Sequence, residues 1–201
     1  MKTITRLVLA SRNRGKLADF SLLLAPLRIE LASVAEFSDE EVEESGATFV
    51  ENALLKARHA ARVSGLPALA DDSGLAVAAL GGAPGIFSAR YAGVGATDAE
   101  NNQKLLAEMA GFGDARRAAH FHCSLVLLMS ADDPAPLIGE GRWQGAIATE
   151  PVGVGGFGYD PLFIPTGSTQ SVAELSAEEK NRRSHRGLAL RQLMPLLETM
   201  R

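Results

Sequence analysis

Ile4-Thr-Arg-Leu-Val-Leu-Ala10 runs into Ser11-Arg-Asn-Arg-Gly-Lys16 and then into Leu17-Ala-Asp-Phe-Ser-Leu-Leu-Leu24. The first segment is a short apolar run suited to a buried strand, and the last carries its apolar residues at helical spacing. Between them lies a loop holding a hydroxyl, an amide, a glycine and three cations. The stretch predicts a strand–loop–helix unit, and Arg28–Ser33 predicts a second strand after it. Further on, Thr48-Phe-Val-Glu51 is a capping box opening an Ala-rich helix over 52–64 that Gly65 ends. Leu66–Ala70 reads as a buried strand stopping at Asp71-Asp72. Thr97-Asp-Ala-Glu100 caps a third helix running to about Ala110. Ala118–Ser130 is long enough for a central strand, and Leu137–Ile147 is expected beside it. Ser176-Ala-Glu-Glu179 starts a short helix, and Ser184–Met200 a terminal one that Pro195 should kink or break. Helices and strands mixed in this order indicate a one-domain α/β layered fold.

Four places carry groups suited to chemistry. A helix N-terminus following a strand offers free N–H groups and a positive dipole, Gly15 admits a close ligand, and Lys16 adds a compact charge, so Ser11–Lys16 is suited to an anion. The Walker A pattern is absent, and a solvated loop with surface Arg12 and Arg14 would show the same residues. Glu40, Glu41, Glu43 and Glu44 alone read as a solvated charge run. Asp71-Asp72 is different, because adjacent carboxylates where a buried strand meets Ser73-Gly74 repel each other unless a cation or donors compensate. Oxygen-only ligands favour Mg2+ or Mn2+ bridging one or two carboxylates to phosphates, although a turn or cap pair is the plainer reading. In Gly153-Val-Gly-Gly-Phe-Gly-Tyr-Asp160, four glycines surround Phe157 and Tyr159, which offer faces on which a base could stack. Ser184-His185-Arg186, with Lys180 before it, could bind a carbonyl oxygen or phosphate or simply cap a helix.

Composition sets limits around these motifs. The 201 residues carry 20 Lys+Arg against 24 Asp+Glu, a formal charge of −4, so no net positive field draws the chain to a nucleic-acid polymer or an anionic membrane. No apolar run approaches the roughly 20 residues of a membrane span, no secretory h-region stands at the N-terminus, and the single Cys123 permits no internal disulfide, which together predict a cytoplasmic protein. Six of the 20 glycines fall in Gly74–Gly95 and seven in Gly139–Gly158, where the backbone must turn tightly or approach something closely.

Taken together, Ser11–Lys16, Glu43-Glu-Ser-Gly-Ala-Thr-Phe-Val-Glu-Asn52, Ala70-Asp-Asp-Ser-Gly-Leu75, Gly81-Gly-Ala-Pro-Gly-Ile-Phe-Ser-Ala-Arg-Tyr91, Gly155-Gly-Phe-Gly-Tyr-Asp-Pro161 and Ser184-His-Arg-Gly187 resemble the inosine triphosphate pyrophosphatase, or Ham1-type, family across nearly the whole chain. The resemblance implies an elongated two-lobed α/β fold around a long mixed sheet, a central nucleotide cleft and a homodimer. It implies Mg2+-dependent hydrolysis of inosine, deoxyinosine and xanthosine triphosphates to the monophosphate and pyrophosphate. Carried over by motif, Ser11, Arg12, Asn13, Arg14, Gly15 and Lys16 form the triphosphate loop, Lys16 also acting in catalysis. Glu43 and Asp72 bind the metal, Asp72 is the general base, and Ser73 contacts substrate. Phe157, Gly158, Tyr159, Asp160, Lys180, His185 and Arg186 hold the base and phosphates. A Maf-type pyrophosphatase acting on pyrimidine or modified nucleotides, and a non-catalytic nucleotide sensor, are the competing readings.

Overall fold

Strand β1 (Arg6–Leu9) is the centre from which the first half of the chain is laid out. The computed structural model describes residues 4–200. Helix α1 (Arg14–Leu24) carries the chain from β1 to β2 (Glu30–Ser33), and α2 (Phe49–Ser64) carries it on to β3 (Ala68–Val77). Both β2 and β3 pair with β1 in parallel, on opposite sides of it, as helical crossovers require. Helix α3 (Asp98–Glu108) precedes β4 (Ala118–Leu128) and β5 (Leu137–Ile147). A three-residue β6 (Phe163–Pro165) lies antiparallel to β5, completing a mixed six-stranded sheet of order β2-β1-β3-β4-β5-β6. Helices α4 (Ala177–Arg183) and α5 (His185–Thr199) end the chain.

Two units divide these elements. The first comprises residues 4–72, 123–141 and 185–200. Its sheet is buried on both faces, and the two-residue period of a strand sorts the side chains between them. Leu7, Leu9, Leu69, Cys123, Leu125 and Leu127 pack with Phe20 and Leu24 of α1 and with Ala189, Leu190, Leu193 and Leu197 of α5. The alternate residues Val8, Ala68, Ala70, Val126 and Leu128 pack with Ala53, Ala57, Ala60 and Ala61 of α2. Gly141 sits against the start of α5, where a Cβ would collide with the carbonyl oxygen of His185 and come within 2.7 Å of Ala189 N. The second unit, residues 73–122 and 142–184, has its own core of Leu75, Val77, Leu105, Met109, Phe121, Trp143, Tyr159, Leu162 and Phe163. The Phe163 ring lies 4.6 Å from Phe121 and 5.8 Å from Trp143, and the buried Arg117 donates to the carbonyls of Met109, Phe112, Ile147 and Ala148.

Two sequence expectations are corrected here. The third strand does not stop at Asp71 but continues to Val77, so Asp71-Asp72-Ser73-Gly74 is extended strand and not a turn. Helix α5 continues through Pro195 to Thr199, so the proline does not break it. Pro195 stands on the exposed side, where the amide donor it lacks would have served the carbonyl of the exposed Arg191 near the solvent.

Candidate active site

Because β3 runs through the acid pair, Asp71 and Asp72 point to opposite faces of the sheet. Asp71 continues the row of Leu69 and meets what α1 and α5 bring to that face. Its Oδ2 accepts from Arg186 Nε at 2.9 Å and lies 3.1 Å from Lys16 Nζ, while its Oδ1 accepts from the Cys123 thiol at 3.2 Å. Lys16 Nζ also reaches the Asp71 backbone oxygen at 3.4 Å, and Arg186 Nη1 reaches Asp19 at 3.4 Å. Burial pushes the Asp71 carboxyl up, but Lys16 and Arg186 overcome it and hold the group well below the usual carboxylate range. Burial lowers the Lys16 ammonium against the opposing pull of Asp71, and it drives the Cys123 thiol, also beside Asp71, well above its ordinary value. The result is an ionised carboxylate under two cations, with a thiol that stays protonated.

Asp72 continues the row of Ala70 and meets α2. Its Oδ1 accepts from Lys56 Nζ at 2.6 Å, and the same ammonium donates to Glu44 Oε1 at 2.9 Å. Burial raises the Asp72 carboxyl and Lys56 offsets only part of that rise, so its pKa lies above the ordinary value. Lys56 is lowered by burial but raised more by Asp72 and Glu44, and it remains charged. The loop bearing Glu44 is tied to α2 one turn before Lys56, where Gly46 N donates to Asn52 Oδ1 at 2.8 Å. Glu43 is exposed, and Glu44 is the carboxylate that shares Lys56 with Asp72. Asp72 and Glu44 present hard oxygen ligands, and among the described residues no group of three or more His, Cys, Asp or Glu could hold a metal unaided. That donor set fits a divalent ion completed by phosphate oxygens and not an all-protein cage.

The predicted phosphate loop forms a capped helix start. Asn13 is the N-cap of α1, its Oδ1 accepting from Lys16 N at 3.0 Å, and Asn13 N donates to Ser11 Oγ at 3.2 Å. The amides of Arg14 and Gly15 occupy the first turn, at the positive end of the helix. Arg12 is engaged elsewhere, donating to the carbonyl of Ser38 at 2.6 Å and lying 3.8 Å from Asp39, whereas Arg14 is exposed.

In the second unit, Asp160 Oδ2 accepts from Lys180 Nζ at 2.7 Å and from Phe157 N at 2.9 Å. Lys180 Nζ stands 4.5 Å from the centre of the Phe157 ring, which is half-buried. The buried Tyr159 donates its hydroxyl to Ser88 O at 2.9 Å. Within each unit, then, the structure gathers sequence-predicted residues into groups: Lys16, Asp71 and Arg186 in one, Phe157, Asp160 and Lys180 in the other. Lys56, Glu44, Asp19 and Cys123 were not among the predicted residues. Lys56 carried a usable signal, since it falls on the stripe of small buried residues Ala53, Ala57 and Ala60, where a lysine demands a carboxylate partner.

A layered α/β chain with a capped βα loop and carboxylates buried beneath lysines is built as a phosphate-handling enzyme. The chain belongs to the Ham1 family, whose sequence model matches residues 7–196. It is 54% identical over 191 residues to a Coxiella burnetii protein named dITP/XTP pyrophosphatase, covering 95% of this chain and 96% of that one. It is 52% identical over 192 residues to the protein of the same name from Escherichia coli K12, covering 96% and 98% of the two chains. The solved structure of a HAM1 protein from Coxiella burnetii superposes with a TM-score of 0.87 at 53% identity, over 98% of this chain and all (100%) of that one. The structure described as a nucleoside-triphosphatase / dITP/XTP pyrophosphatase from Mycobacterium abscessus gives 0.74 at 45% identity, covering 96% and 99%.

Proposed function

We propose that this chain is a nucleoside-triphosphate pyrophosphatase that hydrolyses dITP, XTP and ITP to the monophosphate and pyrophosphate, removing deaminated purine nucleotides from the pool. The observation that carries the reading is Asp72: a carboxyl raised by burial, held by a lysine shared with a second carboxylate, in a chain of this family. A raised carboxyl is a better proton acceptor than an ordinary one. Asp72 takes a proton from the water that attacks the α-phosphorus, and the bond from that phosphorus to the bridging oxygen breaks, releasing pyrophosphate. Lys16, with the first-turn amides of α1, neutralises charge on the phosphates.

Asp72 and the glutamates of the 43–44 pair would hold Mg2+, with Mn2+ as a substitute, and the ion would supply charge neutralisation on the phosphate oxygens. Glu44 is better placed for this than Glu43, because it already shares Lys56 with Asp72. Phe157 to Asp160, with Lys180, take the purine. Donors around the base donate to the C6 oxygen of hypoxanthine or xanthine and face the amino group of adenine unfavourably, because buried donors would be left unpaired. The protein acts in the cytoplasm as a homodimer, and light scattering checks the dimer; among the described residues no helix is long and apolar enough to cross a membrane.

Detection of pyrophosphate, and not orthophosphate, from dITP with Mg2+ tests bond, substrate and metal together. Steady-state rates on inosine, xanthosine, guanosine and modified-pyrimidine triphosphates separate this activity from the Maf-type alternative. A pyrimidine preference would overturn the reading.

A further inference from the structure

Gly158 is the one residue of the Phe157–Asp160 stretch whose own side chain can contribute nothing, yet its peptide groups are held at both ends by helix α3. Asp98 Oδ2 accepts from Gly158 N at 2.7 Å, and Asn102 Nδ2 donates to Gly158 O at 2.9 Å. Asp98 and Asn102 are four residues apart, hence on one face of α3 and one turn from each other. The peptide they grip has φ +61 with open space where a Cβ would stand, so glycine is there for its backbone conformation and not for room.

Asn102 shows that this grip is bought with stability. It is 9% exposed, sits inside a helix where asparagine is a poor former, and its Oδ1 has no hydrogen-bond partner among the described residues. Among the described residues the one hydrogen bond of its side chain is the bond to Gly158. The neighbours of Gly158 are fixed by other means, Phe157 N by Asp160, the Phe157 ring by Lys180, and the Tyr159 hydroxyl by Ser88. Among the described residues, α3 holds this stretch by hydrogen bonds at the Gly158 peptide groups, directly beside Phe157.

We propose that Asp98 and Asn102 are positioning residues that lock the Gly158 peptide, and through it the Phe157 ring, in the arrangement that recognises the purine. The inference rests on the reading of 157–160 as the base-binding segment. Neither residue touches the reacting phosphates, so their loss should appear in KM and leave the chemical step alone.

The test uses the full chain, dITP and Mg2+. Asp98→Ala is expected to raise KM for dITP about tenfold with kcat changed less than about twofold, the order set by loss of one charge-assisted hydrogen bond. Asp98→Asn keeps an oxygen acceptor for Gly158 N and is expected to restore most of the affinity. Asn102→Ala is expected to raise KM about threefold, and it gives a second reading should Asp98→Ala fold poorly. Glu100→Ala is the control, because it removes the capping box of α3 without touching Gly158 and should lower the melting temperature with KM unchanged. Unchanged KM in both Asp98→Ala and Asn102→Ala, or an equal rise in Glu100→Ala, overturns the inference. Phe157→Ala separates the two levels. If it raises KM while the Asp98 and Asn102 variants do not, this inference alone fails. If it leaves KM unchanged in an enzyme that turns over dITP, the base-binding reading falls and this inference with it.

Discussion

Replacing Asp71 by asparagine keeps the shape of the side chain and removes its charge from beneath Lys16 and Arg186. The wild-type carboxylate has a fully buried side chain and sits within 3.1 Å of Lys16 Nζ and 2.9 Å of Arg186 Nε. Arg186 would keep Asp19 at 3.4 Å, but Lys16 would face only neutral acceptors at residue 71, the new amide oxygen and the backbone oxygen. Removing one partner of a buried ion pair typically costs about 3–5 kcal/mol, because the other charge stays buried without compensation. For a chain of this size each kcal/mol shifts the melting temperature by about 2–4 °C, so the expected fall is roughly 6–20 °C. Urea unfolding followed by far-ultraviolet circular dichroism at pH 7 measures the loss directly. The pH dependence supplies a second, independent arm. The folded Asp71 carboxyl lies well below the ~3.9 of an unfolded aspartate, so the unfolded chain binds the proton first on acidification. Its contribution is therefore complete above about pH 4 and is lost as the pH falls toward the folded value. The gap between wild type and Asp71→Asn should hold steady from pH 7 to about 5 and narrow below about 4. A gap under about 1 kcal/mol at pH 7, or one that widens in acid, would refute the account of Asp71 as the shared counter-ion.

Asp72→Asn should behave in the opposite way in stability. Its carboxyl is raised in the folded state, so the ionised form costs stability above that raised value, and the amide is expected to fold within about 1 kcal/mol of wild type while kcat for dITP falls about 10²–10⁴-fold. Coincident loss of melting temperature and activity would remove it from the base role. Gly141→Ala should cost about 1–3 kcal/mol, because the new methyl meets the backbone of α5 at His185 and Ala189, whereas Gly113→Ala, with open space around it, should be near neutral in the same urea titration. Chelation with EDTA should abolish pyrophosphate release and added Mg2+ restore it, with circular dichroism unchanged throughout. Activity that survives exhaustive chelation would contradict the two-carboxylate reading of Asp72 and Glu44.

Elements announced by backbone chemistry were legible in the sequence. The Thr48–Glu51 and Thr97–Glu100 boxes place the starts of α2 and α3 correctly, and the β1–α1 unit is present with Asn13 as its cap. Asp71-Asp72-Ser73-Gly74 misled because its local preference is for a turn, and the reason it stays extended is non-local: Lys16, Arg186 and Lys56 reach it from three separate helices. The same applies to Glu44. Nothing in a run of glutamates distinguishes the one that will meet a lysine, and only the fold of the 43–46 loop against Asn52 does so. Pro195 misled for a simpler reason, since its cost depends on which side of the helix it occupies, and the exposed side tolerates it. The β6 strand is three residues long and starts beside a Pro-containing turn, too short to show a period.

The division of Asp71 and Asp72 between two faces also makes β3 unable to slide. A strand with only apolar side chains can shift its pairing by one residue at the cost of poorer packing, but here a one-residue slip would put Asp72 beneath Lys16 and Arg186 and aim the next side chain, Ser73, at Lys56. Three cations would lose or exchange partners at once. The charges thus act as a reading frame for the sheet, and a single-residue insertion or deletion between Pro67 and Ala70 should be far less tolerated than one in the loop after Met129. Selection on the acid pair would then preserve the alignment of the central strands as a by-product of preserving the chemistry.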